Sequence, residues 1–297
     1  MADARIFDRG YRHYDGPRLG PLNGYVSIGL HSLKRVLGLR RPARAKALPV
    51  IVIAIAYVPA IVIVGVAAFV EDAFENDLPT YAGYYGTIYT AILLFVTFVT
   101  PEALCPDRRT RLLSQYLAAP VTRAGYLIAK AASVFVVLAT VTLGPQLLLL
   151  IALSLENAGP NGVDGWFATL GRILASGVFV SLMLTVVSLA VSSFTDRKAF
   201  ASVGFIVFVL VTGVAADALY EDGDGNTWAA LFNLTGLPLE VVLRIFAVPA
   251  DCFSFTGSCD KLIYPDLSTP AVVAGSVAWI ALATAVLWSR YRRIEVS

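Results

Sequence analysis

The chain has 297 residues, of which 57% are hydrophobic and only 15% charged, with a mean hydropathy of +0.72. A soluble globule of this length needs far more charge to cover its surface, so a soluble protein is excluded. The net charge of +2 and the three cysteines, Cys105, Cys252 and Cys259, leave no basis for a nucleic-acid partner, a disulfide scaffold or a zinc site.

Residues 1–21 are polar and rich in Gly, Pro and Arg, and read as an irregular arm. Over 22–39, Leu22, Val26, Leu30, Leu33 and Leu37 recur at steps of three and four, which places them on one helical face. Basic flanks beside an apolar stripe suit a helix lying in the membrane interface. Residues 1–47 thus form a polar arm and an interfacial helix ahead of a transmembrane domain over 48–297. No apolar core of a cleavable signal precedes it.

Six runs are long and apolar enough to cross a bilayer as helices: 48–70, 82–101, 130–155, 170–194, 199–219 and 270–289. Pro59 is expected to kink the first, and Pro101 to end the second. The tight turn TDRK joins the fourth to the fifth. Segment 228–250 is apolar but holds Glu240 and Arg244. Each charge costs roughly 2.5–3.5 kcal/mol near the centre of an inserted helix. It therefore reads as short re-entrant or interfacial helices within an external segment, 220–268, with Glu240 and Arg244 paired on one helix face. The fold class is all-α, polytopic, with six transmembrane helices.

Charge decides the orientation. Ten basic residues fall in 1–47, five in 102–130, two at 197–198 and three in the tail, leaving only Arg172, Arg244 and Lys261 on the opposite side. By the positive-inside rule both termini are cytoplasmic, which an even number of spans requires. Cys252 and Cys259 then share the oxidising side, with six residues between them, and are expected to form a disulfide, two free thiols being the other reading. Cys105 is expected to be a free thiol near the cytoplasmic face.

No phosphate loop, HExxH, GxSxG or paired zinc ligands occur, and both histidines lie in the N-terminal arm. No catalytic, cofactor-binding or metal-binding residue is read, and the chain is not expected to be an enzyme. The spans are nearly free of ionisable groups, so no proton pathway is visible and a partner must supply energy. The loop 102–130 carries Arg108, Arg109 and Arg111, then Leu112 and Leu113, then Ala119, Pro120, Val121, Thr122 and Arg123, then Ala129 and Lys130. Residues 109–118 can form a short helix that either docks on a cytoplasmic protein or serves as a positive topological anchor.

This order of elements resembles the membrane subunit of type-2 ATP-binding-cassette (ABC) transporters. There, an arginine-rich stretch, a double leucine and an Ala-Pro-Val-Ser/Thr-Arg motif form the coupling loop between the second and third spans. Arg109-Thr110-Arg111 stands where that family has a Gly-Thr-Leu-Glu-like run. The resemblance implies a permease dimer of about twelve spans in the plasma membrane. Separate ATPase subunits would bind ATP and magnesium and push a coupling helix, residues 103–118. It implies roles in that contact for Arg108, Arg109, Arg111, Leu112, Leu113 and Arg123. It implies a path along the second and fifth spans, where Tyr89, Phe205 and Phe208 either line it or are packing aromatics. The apolar spans point to export of a hydrophobic or amphipathic substrate. The alternative is a non-transporting scaffold or assembly factor acting on extracytoplasmic partners.

Overall fold

The computed structural model describes residues 16, 20–39, 43–69, 80–110, 112, 115, 116, 121–156, 158–221, 227–247 and 262–292. Among these the regular elements are all helical. They are α1 (Pro21–Val36), α2 (Ala43–Phe69), α3 (Tyr81–Arg109), α4 (Arg123–Leu155), α5 (Gly162–Ser192), α6 (Lys198–Glu221), a 3₁₀ turn (Thr227–Phe232), α7 (Gly236–Ile245) and α8 (Thr269–Arg292). Six of them, α2 to α6 and α8, have the length and apolarity of membrane spans. α3 and α5 are the most enclosed, and α2 and α8 present most of their surface outward.

The helix starts follow local chemistry. Thr80 Oγ1 accepts from Gly83 N at 3.0 Å, and Thr122 Oγ1 accepts from Gly125 N at 3.1 Å, so each threonine satisfies an amide at the start of a span. α1 stops at Gly38, whose φ of 67° allows the amides of Gly38 and Leu39 to reach the carbonyls of Arg35 and Lys34.

Two boundaries differ from the sequence expectation. α3 does not end at Pro101; it runs through Pro101 and Pro106 to Arg109. Pro101 removes one amide and leaves the carbonyl of Thr97 without its helical donor. Ser202 Oγ on α6 supplies the replacement at 2.8 Å. Residues 103–109 are therefore the last turns of a span and not part of a separate coupling helix. Likewise α4 begins at Arg123 and not at 130, because the Thr122 cap starts the helix inside the polar loop.

α1 also packs differently from its leucine stripe. Leu22, Val26 and Leu30 are 77%, 56% and 51% exposed, while Ile28, Ser32 and Val36 are buried. The inward face is the one that permits close approach to α4. Ser133 Oγ donates to Gly29 O at 2.8 Å, and the Tyr25 ring lies where a Cβ on Gly125 would sit. Leu22, Val26 and Leu30 stay outward, free for lipid, while Leu33 and Leu37 pack partly against the core.

Polar groups between the spans tie α3, α4 and α5 together. Thr142 and Ser181 hydroxyls meet at 2.8 Å, and Ser188 Oγ donates to Thr100 Oγ1 at 3.1 Å. Where lipid removes the hydrophobic drive for helix association, such bonds and small residues hold spans in register.

At the acidic end, the 3₁₀ turn and α7 cap the bundle without crossing it. Glu240 is fully buried, and Arg244 Nε donates to its Oε1 at 2.7 Å, as the i,i+4 spacing predicts. Oε2 accepts from the amides of Ile263 and Tyr264, and Arg244 donates to Tyr264 O at 2.9 Å. One charge pair thus pins the 262–268 strip onto α7. Beside it, Asn233 Nδ2 and Tyr264 OH both donate to Asp217 Oδ1, at 2.8 and 2.7 Å. Burial first, and the Asp217 carboxylate second, hold the Tyr264 phenol neutral well above the ordinary phenol range. Arg244→Met is expected to cost about 2 kcal/mol, below the usual loss for a broken buried pair because two amides still hold Glu240. Limited proteolysis should then cut near 262–268 faster than in the wild type; an unchanged rate would show that the pair does not secure the strip. Cys252 and Cys259 lie outside the described residues.

Candidate functional site

At one end of the bundle α1 packs against the ends of α3 and α4, and polar residues there join α3 to α4, to α8 and to the α5–α6 turn. The centre is Asp107, 1% exposed, on the last turn of α3. One carboxylate oxygen accepts from Arg35 Nη1 of α1. The other accepts from Tyr126 OH at 3.0 Å and lies 2.5 Å from Lys130 Nζ, both on α4. Lys130 is fully buried and matched in charge, yet its ammonium forms no hydrogen bond of good geometry. Its cation instead lies 5.5 Å from the Tyr126 ring centre and 6.0 Å from that of Tyr116.

An aromatic row extends this centre sideways. Tyr116, in the loop between α3 and α4, lies 5.6 Å from Tyr126, which lies 6.1 Å from Tyr291 on α8. The loop residue, the start of the third span and the end of the last span therefore share one packing unit. A displacement of the loop at Tyr116 meets α4 directly and α8 through Tyr126. Because Asp107 carries Arg35 with it, the same displacement reaches α1.

The arginines separate into different roles. Arg108 pairs with Asp196 at 2.9 Å and donates to Ser193 O, which ties the end of α3 to the α5–α6 turn. Nearby, Lys198 pairs with Glu102 at 2.5 Å across the same junction. Arg123 donates to Arg292 O at 2.7 Å and so bridges α4 to α8. Arg109 is exposed at the tip of α3, and Leu112 is half-buried beyond it. Arg111 and Leu113, together with Ala119 and Pro120, lie outside the described residues. Cys105 is a buried free thiol whose Sγ approaches Thr195 O at 3.5 Å.

His31, on α1 beside this cluster, has its imidazole pKa lowered, first by burial and then by the positive charges of Arg35 and Lys130.

The three aromatics of the second and fifth spans sit apart from this cluster. Tyr89 is buried, its hydroxyl without a hydrogen-bond partner. Phe205 is buried in the core, and Phe208 packs edge-on against Trp279 of α8 with ring centres 6.1 Å apart.

Sequence reasoning missed Asp107 as the hub and Arg35 as its partner. The available signal was an acid directly before the arginines of 108–111, in a stretch otherwise rich in positive charge.

A family of proteins described as ABC-2 family transporter proteins matches residues 43–288, from the start of α2 almost to the end of α8. No curated protein matches the chain. The match spans all six membrane helices and the basic loop between the second and third. The chain belongs to the ABC-2 transporter family and is the multi-pass membrane component of an ABC transporter.

Proposed function

We propose that this permease exports a hydrophobic or amphipathic substrate, driven by separately encoded ATPase subunits that bind ATP and magnesium. Two permease subunits form the working dimer, in the plasma membrane, with both termini in the cytoplasm. The observation that carries this reading is the buried junction at Asp107. It links the arginine-rich loop to α1, α4 and, through Tyr126 and Tyr291, α8. Force applied to the loop by an ATPase would pass into three helices at once. The exposure of Arg109 and the partial exposure of Leu112 support their part in such contact. Arg108 and Arg123, held inside the chain, would act by keeping the loop fixed to the bundle.

Apolar span surfaces and the scarcity of charge within them support an apolar cargo. The path is proposed along the second and fifth spans, with Tyr89, Phe205 and Phe208 near it. The direct test is ATP hydrolysis by the co-purified complex in lipid vesicles, with and without candidate amphipathic substrates. Hydrolysis stimulated by substrate together with outward movement supports export. A complex that hydrolyses ATP without moving any tested substrate, yet modifies the assembly of extracytoplasmic proteins, would instead make it a scaffold.

Two smaller outcomes check the orientation. A cysteine placed at Ser297 should react with a membrane-impermeant maleimide only after the cells are opened. Labelling from outside intact cells would reverse the topology. Intact mass of unreduced protein should show Cys252 and Cys259 bonded and Cys105 free. Two readily alkylated thiols at 252 and 259 would rule the bond out.

A further inference from the structure

Between α5, α6 and α8, toward the basic end of the bundle, lies a cavity of about 460 Å³ with almost wholly apolar walls. Phe194, Phe200, Gly204, Phe208, Trp279 and Leu282 bound it. Phe194, Phe200 and Leu282 are 58%, 62% and 55% exposed, so the cavity opens sideways, between spans, to the surroundings of the bundle. Its volume falls within the roughly 300–1,000 Å³ of ordinary ligand sites.

Two cations stand at its basic end. The Arg290 guanidinium lies 4.5 Å from the Phe194 ring centre, and that of Arg197 lies 5.8 Å from the Phe200 ring centre. Both arginines are exposed, and among the described residues neither pairs with an acid. Asp196, the acid next to Arg197 in sequence, is taken by Arg108 at 2.9 Å. An apolar slot between spans thus ends at two positive charges that pair with no acid among the described residues.

We propose that this groove is a resident site for an anionic phospholipid. One acyl chain lies along Phe208, Trp279 and Leu282, and the phosphate sits between Arg197 and Arg290. The walls offer nothing to water, so hydrocarbon fills the slot. The charges choose the headgroup, because arginines near the membrane surface attract anionic lipid. A second copy of the chain fits less well. A symmetric partner presents the same basic end and would add positive charge where a negative charge is wanted. Phe208 is shared with the proposed path, but lipid labelling is read without the ATPase or transport, so the assignment is tested separately from the proposed function.

Gly204 provides the steric probe. A Cβ there would find Val191 Cγ1 at 3.8 Å and nothing closer, so alanine is accommodated while a tryptophan side chain must occupy the cavity. The full-length protein is placed in phosphatidylcholine nanodiscs carrying a small fraction of phosphatidylglycerol with a photoactivatable diazirine on its acyl chain. Cross-links are mapped by peptide mass spectrometry. Labelling is expected on peptides covering 187–208 and 279–286, and to be weaker when the diazirine is carried by phosphatidylcholine. Gly204→Trp should bring it to background, and Gly204→Ala should keep it. Arg197→Gln and Arg290→Gln should each reduce phosphatidylglycerol labelling roughly fivefold, leaving the phosphatidylcholine signal unchanged. If Gly204→Trp does not fold, the arginine pair decides alone. Equal labelling from both headgroups, or wild-type labelling in the double arginine variant, overturns the proposal. So does a Phe194→Cys disulfide between two copies with no lipid label, which would assign the groove to a dimer contact.

Discussion

Asp107→Ala is expected to destabilise the protein by about 3–5 kcal/mol, the loss typical when one member of a buried ion pair is removed. The carboxylate answers two cations and a phenol, and its deletion leaves Lys130, 0% exposed, and Arg35, 17% exposed, facing each other without an acid. Arg35 can turn toward the headgroups, since its side chain is near the surface. Lys130 has no such exit, because α1, α3 and Tyr126 enclose it. The unfolding temperature in mild detergent should fall clearly, and α1 should become sensitive to protease while the other spans remain protected. Asp107→Leu combined with Lys130→Met removes the charges together and should recover part of the loss. If Asp107→Ala alone melts with the wild type, the ion pair is not what holds α1 against α3 and α4.

The second large effect concerns the partner. Arg111→Glu with Leu113→Asp should weaken capture of the ATPase by at least about thirty-fold, since a single hot-spot residue commonly carries about 2 kcal/mol. These positions follow Arg109, the exposed arginine at the tip of α3. Arginine suits such a contact because its planar guanidinium pairs with carboxylates in fixed geometry. Insertion should be unaffected, because Arg108, Arg109, Arg123 and Lys130 still hold the positive side. Arg108→Ala makes the contrast. Its ion pair is with Asp196, which is 55% exposed, so its loss should change stability only slightly. Pull-down of the ATPase and substrate-stimulated hydrolysis, measured on both variants, separate a docking role from a topological one. Normal capture and hydrolysis by the double variant would falsify the coupling role of the loop.

The number of spans, their approximate places and the capping of the acidic end by short helices were all legible in the chain. Each follows from a local quantity. Hydropathy over about 20 residues marks a span, two charges mark 228–250 as outside the hydrocarbon, and the spacing of Glu240 and Arg244 sets their pairing within one helix. Family membership was legible too, because the coupling-loop motif is contiguous. The continuation of α3 past Pro101 was not, since it depends on a hydroxyl from Ser202, 105 positions away. Nor was the face that α1 turns inward. Its leucine stripe has the right period, but close approach is decided by Gly29, Gly125 and the groove they form together.

What the sequence determined by itself is therefore the membrane-spanning architecture and its charge polarity, because bilayer thickness and the cost of buried charge act on each segment separately. What only the tertiary structure decided is which charges meet. Asp107 is one of several acids and Lys130 and Arg35 are two of many cations. They lie on three different helices, at 107, 130 and 35 in the chain. Their pairing arises from how α1, α3 and α4 cross, and inside a low-dielectric bundle a charge must take whichever partner that crossing brings within reach.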